Sequence, residues 1–149
     1  MTQIGKNIAQ EKLTILENNK WSETNIGNET VVLFALPGAF TPVCSETHLP
    51  GFIDSYKNFA KKGVKEIYCL SVNDKFVMEA WGKNYELNNL KLIADGTGSF
   101  TSKYDLETDL TGIGLGIRSK RYAMIICNGV IEKILFEDES FAENIIKLI

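Results

Sequence analysis

Runs of apolar residues along the chain predict the strands of a β-sheet. Val31–Leu36 is a continuous apolar run that ends at Pro37 and Gly38, which is typical of a buried strand. Lys65–Val72 and Lys91–Ala94 are predicted to be a second and a third strand. Helical patterns separate these runs, so strands and helices are predicted to alternate through the middle of the chain.

Two pairs of shorter runs are predicted to form β-hairpins. Leu13–Leu16 and Lys20–Thr24 lie on either side of an Asn-Asn pair, and we expect a hairpin there at the edge of the fold. Arg121–Cys127 and Val130–Phe136 flank an Asn-Gly pair, which is the strongest short-range hairpin signal in the chain.

Apolar periodicity and capping residues predict the helices. The helix that begins near Cys44 has an apolar face up to a stop at Lys61-Lys62-Gly63, and Pro50 is expected to kink it near its first turns. Further helices are predicted over Lys75–Asn84 after an Asp74 cap, from about Ser99 to Tyr104, and up to Ile149 after a cap at Asp138 or Ser140. This order of elements predicts an α/β fold with a mixed central β-sheet flanked by helices.

Length and composition are those of an ordinary globular chain. The 149 residues are 44% hydrophobic and 23% charged, which predicts a single domain over residues 1–149. A net charge of −3 gives no indication of a nucleic-acid partner. No apolar run approaches the ~20 residues of a membrane helix, and the first residues lack the apolar core of a signal peptide. We therefore expect a cytoplasmic protein without a membrane partner; an organellar location after removal of a presequence stays open.

The strongest candidate for chemistry is Cys44, one of three irregularly spaced cysteines that are expected to be free thiols in a reducing compartment. Thr41 is predicted to cap the helix after the first apolar strand, and Pro42 fits its first position. Cys44 then lies in the first turn, where unpaired N–H groups and the helix dipole favour a thiolate over a thiol. The Thr41 hydroxyl and the same N–H groups can also donate hydrogen bonds to an atom that develops negative charge.

The residues around Cys44 resemble the active-site sequence of peroxiredoxins. The pattern Pro37-x-x-x-Thr41-x-x-Cys44 matches their signature, and the longer string PGAFTPVCSETHLP at 37–50 is similar to the subfamily typified by peroxiredoxin 5. The resemblance continues in LSVND at 70–74, FV at 76–77, ADG at 94–96 and GLGIRSKR at 114–121. It spans most of the chain, from about residue 30 to the C-terminus.

The resemblance implies a thioredoxin-like fold and a thiol peroxidase active in antioxidant defence and redox homeostasis. The Cys44 thiolate would attack hydrogen peroxide or an alkyl hydroperoxide and become a sulfenic acid. Pro37 would shield the thiolate from water. Thr41 would help to activate the thiolate and orient the peroxide, and Arg118 would hold the thiolate charged and orient the peroxide. Glutathione with glutaredoxin, or thioredoxin, would restore Cys44, and no metal, haem or flavin is implied.

Recycling and assembly depend on further residues. Some plant-type relatives carry a cysteine at the place of Cys69 that pairs with the reactive one, whereas others do not use it, so Cys69 is a candidate resolving cysteine. The mammalian-type resolving cysteine is absent from Glu137–Ile149. Because Cys69 lies inside one predicted strand and Cys44 beyond the end of another, we favour a cycle with one cysteine. Members of the subfamily pair through loops around the active site, and Phe40 and Leu115 are candidate contacts of a homodimer.

Three further residues are interpreted as structural. Arg121 is either a residue that supports the site residues or a surface residue, and a structural role is favoured. Cys127, inside an apolar strand, is assigned to the core. His48 raises the alternatives of a hydrolytic Cys–His pair or half of a metal site, but it is the only histidine of the chain. A histidine that binds free carbonyls near the Pro50 kink is the favoured interpretation.

Two other classes of function stay open at this stage. A disulfide reductase of the thioredoxin type needs a Cys-x-x-Cys motif, whereas Thr41 and Thr47 stand where its second cysteine would be. A non-enzymatic interaction or holdase protein is compatible with the composition. Peroxide-dependent consumption of a thiol reductant separates a peroxidase from both.

Overall fold

The computed structural model describes residues 2–149; Met1, where the predicted domain begins, lies outside them. In chain order the described residues form strands β1 (Leu13–Glu17), β2 (Lys20–Thr24), β3 (Val31–Leu36), β4 (Glu66–Ser71), β5 (Lys91–Ala94), β6 (Glu107–Asp109), β7 (Ile117–Ser119), β8 (Tyr122–Cys127) and β9 (Val130–Phe136). The helices are α1 (Leu49–Lys61), α2 (Lys75–Gly82), α3 (Ser99–Lys103) and α4 (Ala142–Ile145). A π-helical turn, Cys44–His48, leads into α1, and short 3-10 turns lie at Thr111–Ile113, Glu137–Ser140 and Ile146–Leu148.

One mixed sheet organises the fold. Within residues 2–149, seven strands lie in the order β2-β1-β5-β4-β3-β8-β9. The pairs β3–β4 and β4–β5 are parallel, because the chain crosses over through α1 and then α2, whereas the outer pairs are antiparallel. All six residues of β3 are buried, as its unbroken apolar sequence predicts.

The two faces of the sheet bury separate apolar clusters. Successive residues of a strand point to opposite faces, so Phe34 enters one cluster and Leu33 the other. The Phe34 cluster also contains Phe52 of α1, Trp81 of α2 and Cys44. Cys44 therefore lies on the face of the sheet that these two helices cover.

Most predicted elements are confirmed, with two differences. The three predicted strands and both hairpins are present, and the Asp74 carboxylate caps α2 by accepting the Val77 N–H at 2.9 Å. The predicted long C-terminal helix is wrong, because a 3-10 turn, the four-residue α4 and a second 3-10 turn take its place. The buried Ser140 hydroxyl points back to the Glu137 carbonyl, at 2.6 Å, instead of capping a helix. The second difference is a hairpin of β6 and β7 around the glycine-rich loop.

The helices are modest in length. α1 has 13 residues. No helix among residues 2–149 is both long enough and apolar enough to cross a membrane.

Candidate active site

Cys44 lies in the first turn of the helix that follows β3. This helix begins at Pro42, as predicted, and passes through the π-helical turn into α1. The Ser45 N–H donates to the Thr41 carbonyl at 3.0 Å, and the Leu49 N–H donates to the Cys44 carbonyl. The Cys44 side chain is 0% exposed, so the candidate nucleophile is covered by protein in this conformation.

Pro50 explains why the helix contains a π turn. A proline has no N–H, and its ring clashes with the carbonyl of the residue four positions before it, which here is Glu46. A π turn widens the helix ahead of the proline and relieves this conflict. The predicted kink at Pro50 stays a prediction, and the structure places the π turn Cys44–His48 just before this proline.

A buried guanidinium, that of Arg121, lies beside the Cys44 sulfur. Its Nη2 donates to Cys44 Sγ at 3.2 Å, and its Nη1 donates to His48 Nδ1 at 3.0 Å. Arg121 is 9% exposed and directly precedes β8. One guanidinium therefore bridges the sulfur and the imidazole within the protein interior.

His48 is the neutral acceptor in this bridge. Burial, and then the positive charge of Arg121, lowers the pKa of His48 from 6.5 to about 3. Arginine only donates, so Nδ1 of the neutral imidazole carries no proton and Nε2 carries one. That Nε2 lies 3.3 Å from the Ser140 carbonyl. A continuous hydrogen-bond chain thus runs from Ser140 through His48 and Arg121 to Cys44.

The arginine beside the thiol is not the one that the sequence predicted. Arg118, in β7, donates from Nε to the Leu115 carbonyl at 2.8 Å and from Nη1 to the Val72 carbonyl at 3.3 Å. These bonds tie it to the loops around the site, whereas Arg121, which was assigned a structural role, contacts Cys44. A role of Arg118 in orienting the peroxide stays a prediction.

Hydrogen bonds hold the loop that joins β3 to the helix. The Thr41 hydroxyl donates to the Gly38 carbonyl at 2.7 Å, and the Asn73 side chain accepts the Ala39 N–H at 3.0 Å. Phe40 lies between these contacts with a left-handed φ of 67° and an exposed side chain. Because the Thr41 hydroxyl gives its proton to Gly38, its oxygen is left as an acceptor, which suits the O–H of a hydroperoxide.

Cys69 lies in the same apolar cluster as Cys44 and is fully buried. Burial raises the pKa of Cys69, the Cys44 sulfur raises it further, and Arg121 has a smaller, opposite effect. Cys127 is half-buried beside Thr30, and burial raises its pKa as well. All three cysteines are free, and the surroundings of Cys69 and Cys127 favour the protonated thiol.

The structure also shows where the remaining candidate residues lie. Pro37 directly follows β3 and is half-buried, in a position where shielding of the site stays a prediction. Sequence reasoning missed the bond of His48 to Arg121, and the carbonyl that His48 contacts is that of the distant Ser140 instead of one freed near Pro50. Residues 2–149 contain no group of three or more His, Cys, Asp or Glu side chains placed to hold a metal ion.

This arrangement can hold a charged sulfur for attack on a small electrophile. The fixed positive charge of Arg121 stabilises a thiolate directly. A hydrolytic Cys–His pair is a poor fit, because the Nδ1 of His48 is occupied by Arg121 and its pKa of about 3 makes it a weak base near neutral pH. The chemistry therefore depends on the cation and the sulfur.

Comparisons with known proteins point in the same direction. The redoxin family profile matches residues 5–145. A peroxiredoxin of Rhizobium etli is 50% identical over 126 residues, which cover 85% of this chain and 70% of that protein. The hybrid peroxiredoxin hyPrx5 of Haemophilus influenzae is 40% identical over 137 residues, 89% of this chain and 57% of that protein. This chain thus spans between about half and three quarters of the length of these two relatives.

A solved structure matches over its full length. The crystal structure of reduced Prx3 from Vibrio vulnificus in complex with hydrogen peroxide superposes with a TM-score of 0.91 and 41% sequence identity. The superposition covers 99% of both chains.

The state of His48 predicts a pH dependence of folding stability. The unfolded histidine binds a proton near pH 6.5, whereas the folded residue does so only near pH 3, so stability falls as the pH is lowered through this window. His48 is the only histidine, and we expect a loss of about 2 kcal/mol between pH 7.5 and 5, measured by urea unfolding.

The matched control for this prediction is His48→Asn, which offers Arg121 an amide oxygen and does not titrate. Its free energy of unfolding should change much less over the same pH range. Equal pH dependence in the variant and the wild type would contradict a neutral buried imidazole.

Proposed function

Because the chain belongs to the peroxiredoxin family of thiol peroxidases, and within it to the peroxiredoxin-5-like subfamily, we propose that it reduces hydrogen peroxide and alkyl hydroperoxides at Cys44. The observation that carries this proposal is the Arg121 guanidinium 3.2 Å from the buried Cys44 sulfur. A buried cation without a compensating charge is strongly unfavourable, and the His48 imidazole that shares it is neutral. The Cys44 thiolate supplies the compensating charge.

The first half-reaction oxidises Cys44. Its thiolate attacks one oxygen of the hydroperoxide, the O–O bond breaks, and two electrons pass from sulfur to the peroxide. The hydroperoxide proton ends on the leaving oxygen, which departs as water or an alcohol. The sulfenate left on Cys44 takes a proton from water and becomes a sulfenic acid.

Four side chains assist this step. Arg121 stabilises the sulfur charge, and the Thr41 oxygen accepts the O–H of the peroxide. Arg118 helps to orient the peroxide from the rim of the site, and Pro37 limits the access of water. The Vibrio vulnificus relative that was solved with hydrogen peroxide supports this substrate class for the same fold.

The structure also bears on the two rival functions. A thioredoxin-type reductase needs a second cysteine near Cys44, and Cys69 lies in β4 with a raised pKa instead. A holdase has no need of a buried Arg121 aimed at a sulfur. The peroxidase proposal accounts for this contact.

The proposal predicts that Arg121 matters more than Arg118 for the reaction with peroxide, which is the reverse of what the family resemblance implies. Arg121→Lys should slow the single-turnover reaction of Cys44 with hydrogen peroxide by about 10- to 100-fold, because a charge-assisted bond to the sulfur is lost. Arg118→Lys should slow it less, since Arg118 binds loop carbonyls. Stopped-flow measurement of the reduced enzyme with hydrogen peroxide, without an added thiol, checks both.

Cys44→Ser is the reference variant, and it should show no peroxide-dependent consumption of the thiol reductant. Residual turnover in Cys44→Ser would overturn the assignment of the nucleophile. A larger effect of Arg118→Lys than of Arg121→Lys would restore the original assignment of the arginines.

The second half-reaction uses an external thiol in a one-cysteine cycle. A reductant thiolate attacks the Cys44 sulfur, hydroxide leaves as water after protonation, and a mixed disulfide forms. A second thiol breaks it and releases Cys44 as a thiolate. Glutathione with glutaredoxin, or thioredoxin, has this chemistry. Cys69 is a poor internal substitute, because it is fully buried and its raised pKa disfavours the attacking thiolate.

A cysteine-to-serine pair tests this cycle. Cys69→Ser should keep a turnover close to that of the wild type with glutathione and glutaredoxin or with thioredoxin, and Cys127→Ser serves as the matched control. The oxidised wild type should contain a sulfenic acid that a trapping reagent labels. If Cys69→Ser reacts once with peroxide and then stops with both reductants, Cys69 is the resolving thiol.

Assembly as a homodimer and a location in the cytoplasm complete the proposal. Exposed apolar side chains near the loops around the site support a contact between two copies; they are Phe40, Val43, Phe76, Ile113 and Ile117. Three free cysteines fit a reducing compartment. Leu115 is half-buried and accepts a bond from Arg118, so it is a weaker contact candidate than Phe40.

Phe40→Glu should shift the protein from dimer to monomer in sedimentation at micromolar concentration, because a carboxylate replaces an apolar contact in the interface. Ile4→Glu, at an exposed apolar residue of the N-terminal segment, is the control and should leave the distribution unchanged. A wild type that is monomeric and fully active would rule out a functional dimer.

A further inference from the structure

The π turn leaves the Ser45 carbonyl in an unusual position. In a π-helical register, the N–H that would bind this carbonyl belongs to the residue five positions further on, which is Pro50. Proline has no N–H to donate. The N–H of Leu49, one position earlier, donates to the Cys44 carbonyl. The turn that carries Cys44 therefore needs a donor from another part of the chain.

Tyr85 supplies that donor. Its hydroxyl, in the segment after α2, donates to the Ser45 carbonyl at 2.8 Å. Trp81 of α2 donates from Nε1 to Ser45 Oγ at 3.0 Å. The two rings pack edge to face, with centroids 5.6 Å apart. Helix α2 and the segment after it thus make two hydrogen bonds to one residue of the turn, Ser45.

The proposed cycle requires this turn to open. Cys44 is 0% exposed. Hydrogen peroxide is small enough to reach the sulfur through minor motions of the surrounding loops. The thiol of a protein reductant has to approach the sulfur in line, and it cannot reach a fully covered atom. The oxidised sulfur is therefore reduced from an open form of the first turn, which is populated by local unfolding.

We propose that Tyr85 is a positioning residue that sets how often the Cys44 turn opens, and hence the rate of reduction by a protein thiol. The proposal rests on the peroxidase function of Cys44. Tyr85 acts through the Ser45 carbonyl and touches neither the peroxide nor the reacting sulfur. It favours the closed form in which Arg121 contacts Cys44. The open form is a minor state, so a change in its population alters the reduction step and leaves the peroxide step almost unchanged.

Tyr85→Phe tests the proposal because it removes the hydroxyl and keeps the ring. We expect amide hydrogen exchange at Leu49, whose N–H binds the Cys44 carbonyl, to accelerate about three- to tenfold, the usual effect of one lost hydrogen bond. The rate at which thioredoxin reduces the pre-formed sulfenic acid should rise by the same factor. The single-turnover rate with hydrogen peroxide should stay within about twofold of the wild type.

Two further variants separate the proposed role from general stability. Tyr104→Phe removes a hydroxyl that donates to Glu11 at 2.7 Å elsewhere in the fold, and it should leave exchange at Leu49 unchanged. Pro50→Ala restores an N–H at the position that can serve the Ser45 carbonyl. In that background, Tyr85→Phe should accelerate exchange at Leu49 by less than about twofold.

Hydrogen exchange keeps this proposal independent of the peroxidase activity. Unchanged exchange at Leu49 in Tyr85→Phe overturns the role of Tyr85, whatever the enzyme assay shows. A full-sized effect in the Pro50→Ala background overturns it too, since Tyr85 would then act by packing. Faster exchange in a protein that never reacts with peroxide would overturn the proposed function instead, together with the link from opening to reduction.

Discussion

A guanidinium buried beside a sulfur is the constraint on which the site depends. Arginine stays charged at every accessible pH, so burial obliges the protein to provide acceptors and a compensating charge. His48 provides an acceptor only while it is neutral, because a protonated imidazole would place a second cation 3.0 Å from the first. Cys44 provides the charge only as a thiolate. Burial, and then the charge of Arg121, lowers the pKa of His48, so the cation that contacts Cys44 also helps to keep the imidazole neutral.

Local patterns in the sequence predicted most of the sheet, whereas the family resemblance favoured Arg118 over Arg121 as the arginine beside Cys44. The hairpin from residue 121 was predicted correctly, and alternation along it places Arg121 on the same face as Ala123, opposite to Tyr122. The apolar cluster on that face contains Cys44. The alternation of side chains along the strand was therefore a usable signal that Arg121 lies on the same face as Cys44. It becomes decisive only when the pairing of β3 with β8 is known, and that pairing joins residues about 90 positions apart.

The C-terminal segment shows where a local pattern loses to tertiary hydrogen bonds. The apolar spacing up to Ile149 favours one helix, whereas Ser140 is fully buried and binds the imidazole of His48 through its carbonyl at 3.3 Å. Glu137 turns the chain with a left-handed φ of 52° and donates its N–H to the Arg121 carbonyl at 3.0 Å. This bent segment completes the support of the site, and a regular helix would remove it. No property of the segment alone reveals that its partners are His48 and Arg121.

One apolar cluster contains two fully buried cysteines, Cys44 and Cys69, with different polar surroundings. Arg121 donates to the Cys44 sulfur at 3.2 Å, whereas burial raises the pKa of Cys69. Once Cys44 is ionised, its charge raises the pKa of Cys69 further. In the proposed mechanism Arg121 therefore favours Cys44 as the nucleophile, whereas burial and the charge of Cys44 disfavour Cys69. Burial limits access to the Cys44 sulfur, and Pro50 offsets this limit. The proline cannot donate a backbone hydrogen bond in the helix that carries Cys44, and this favours local opening of the π turn.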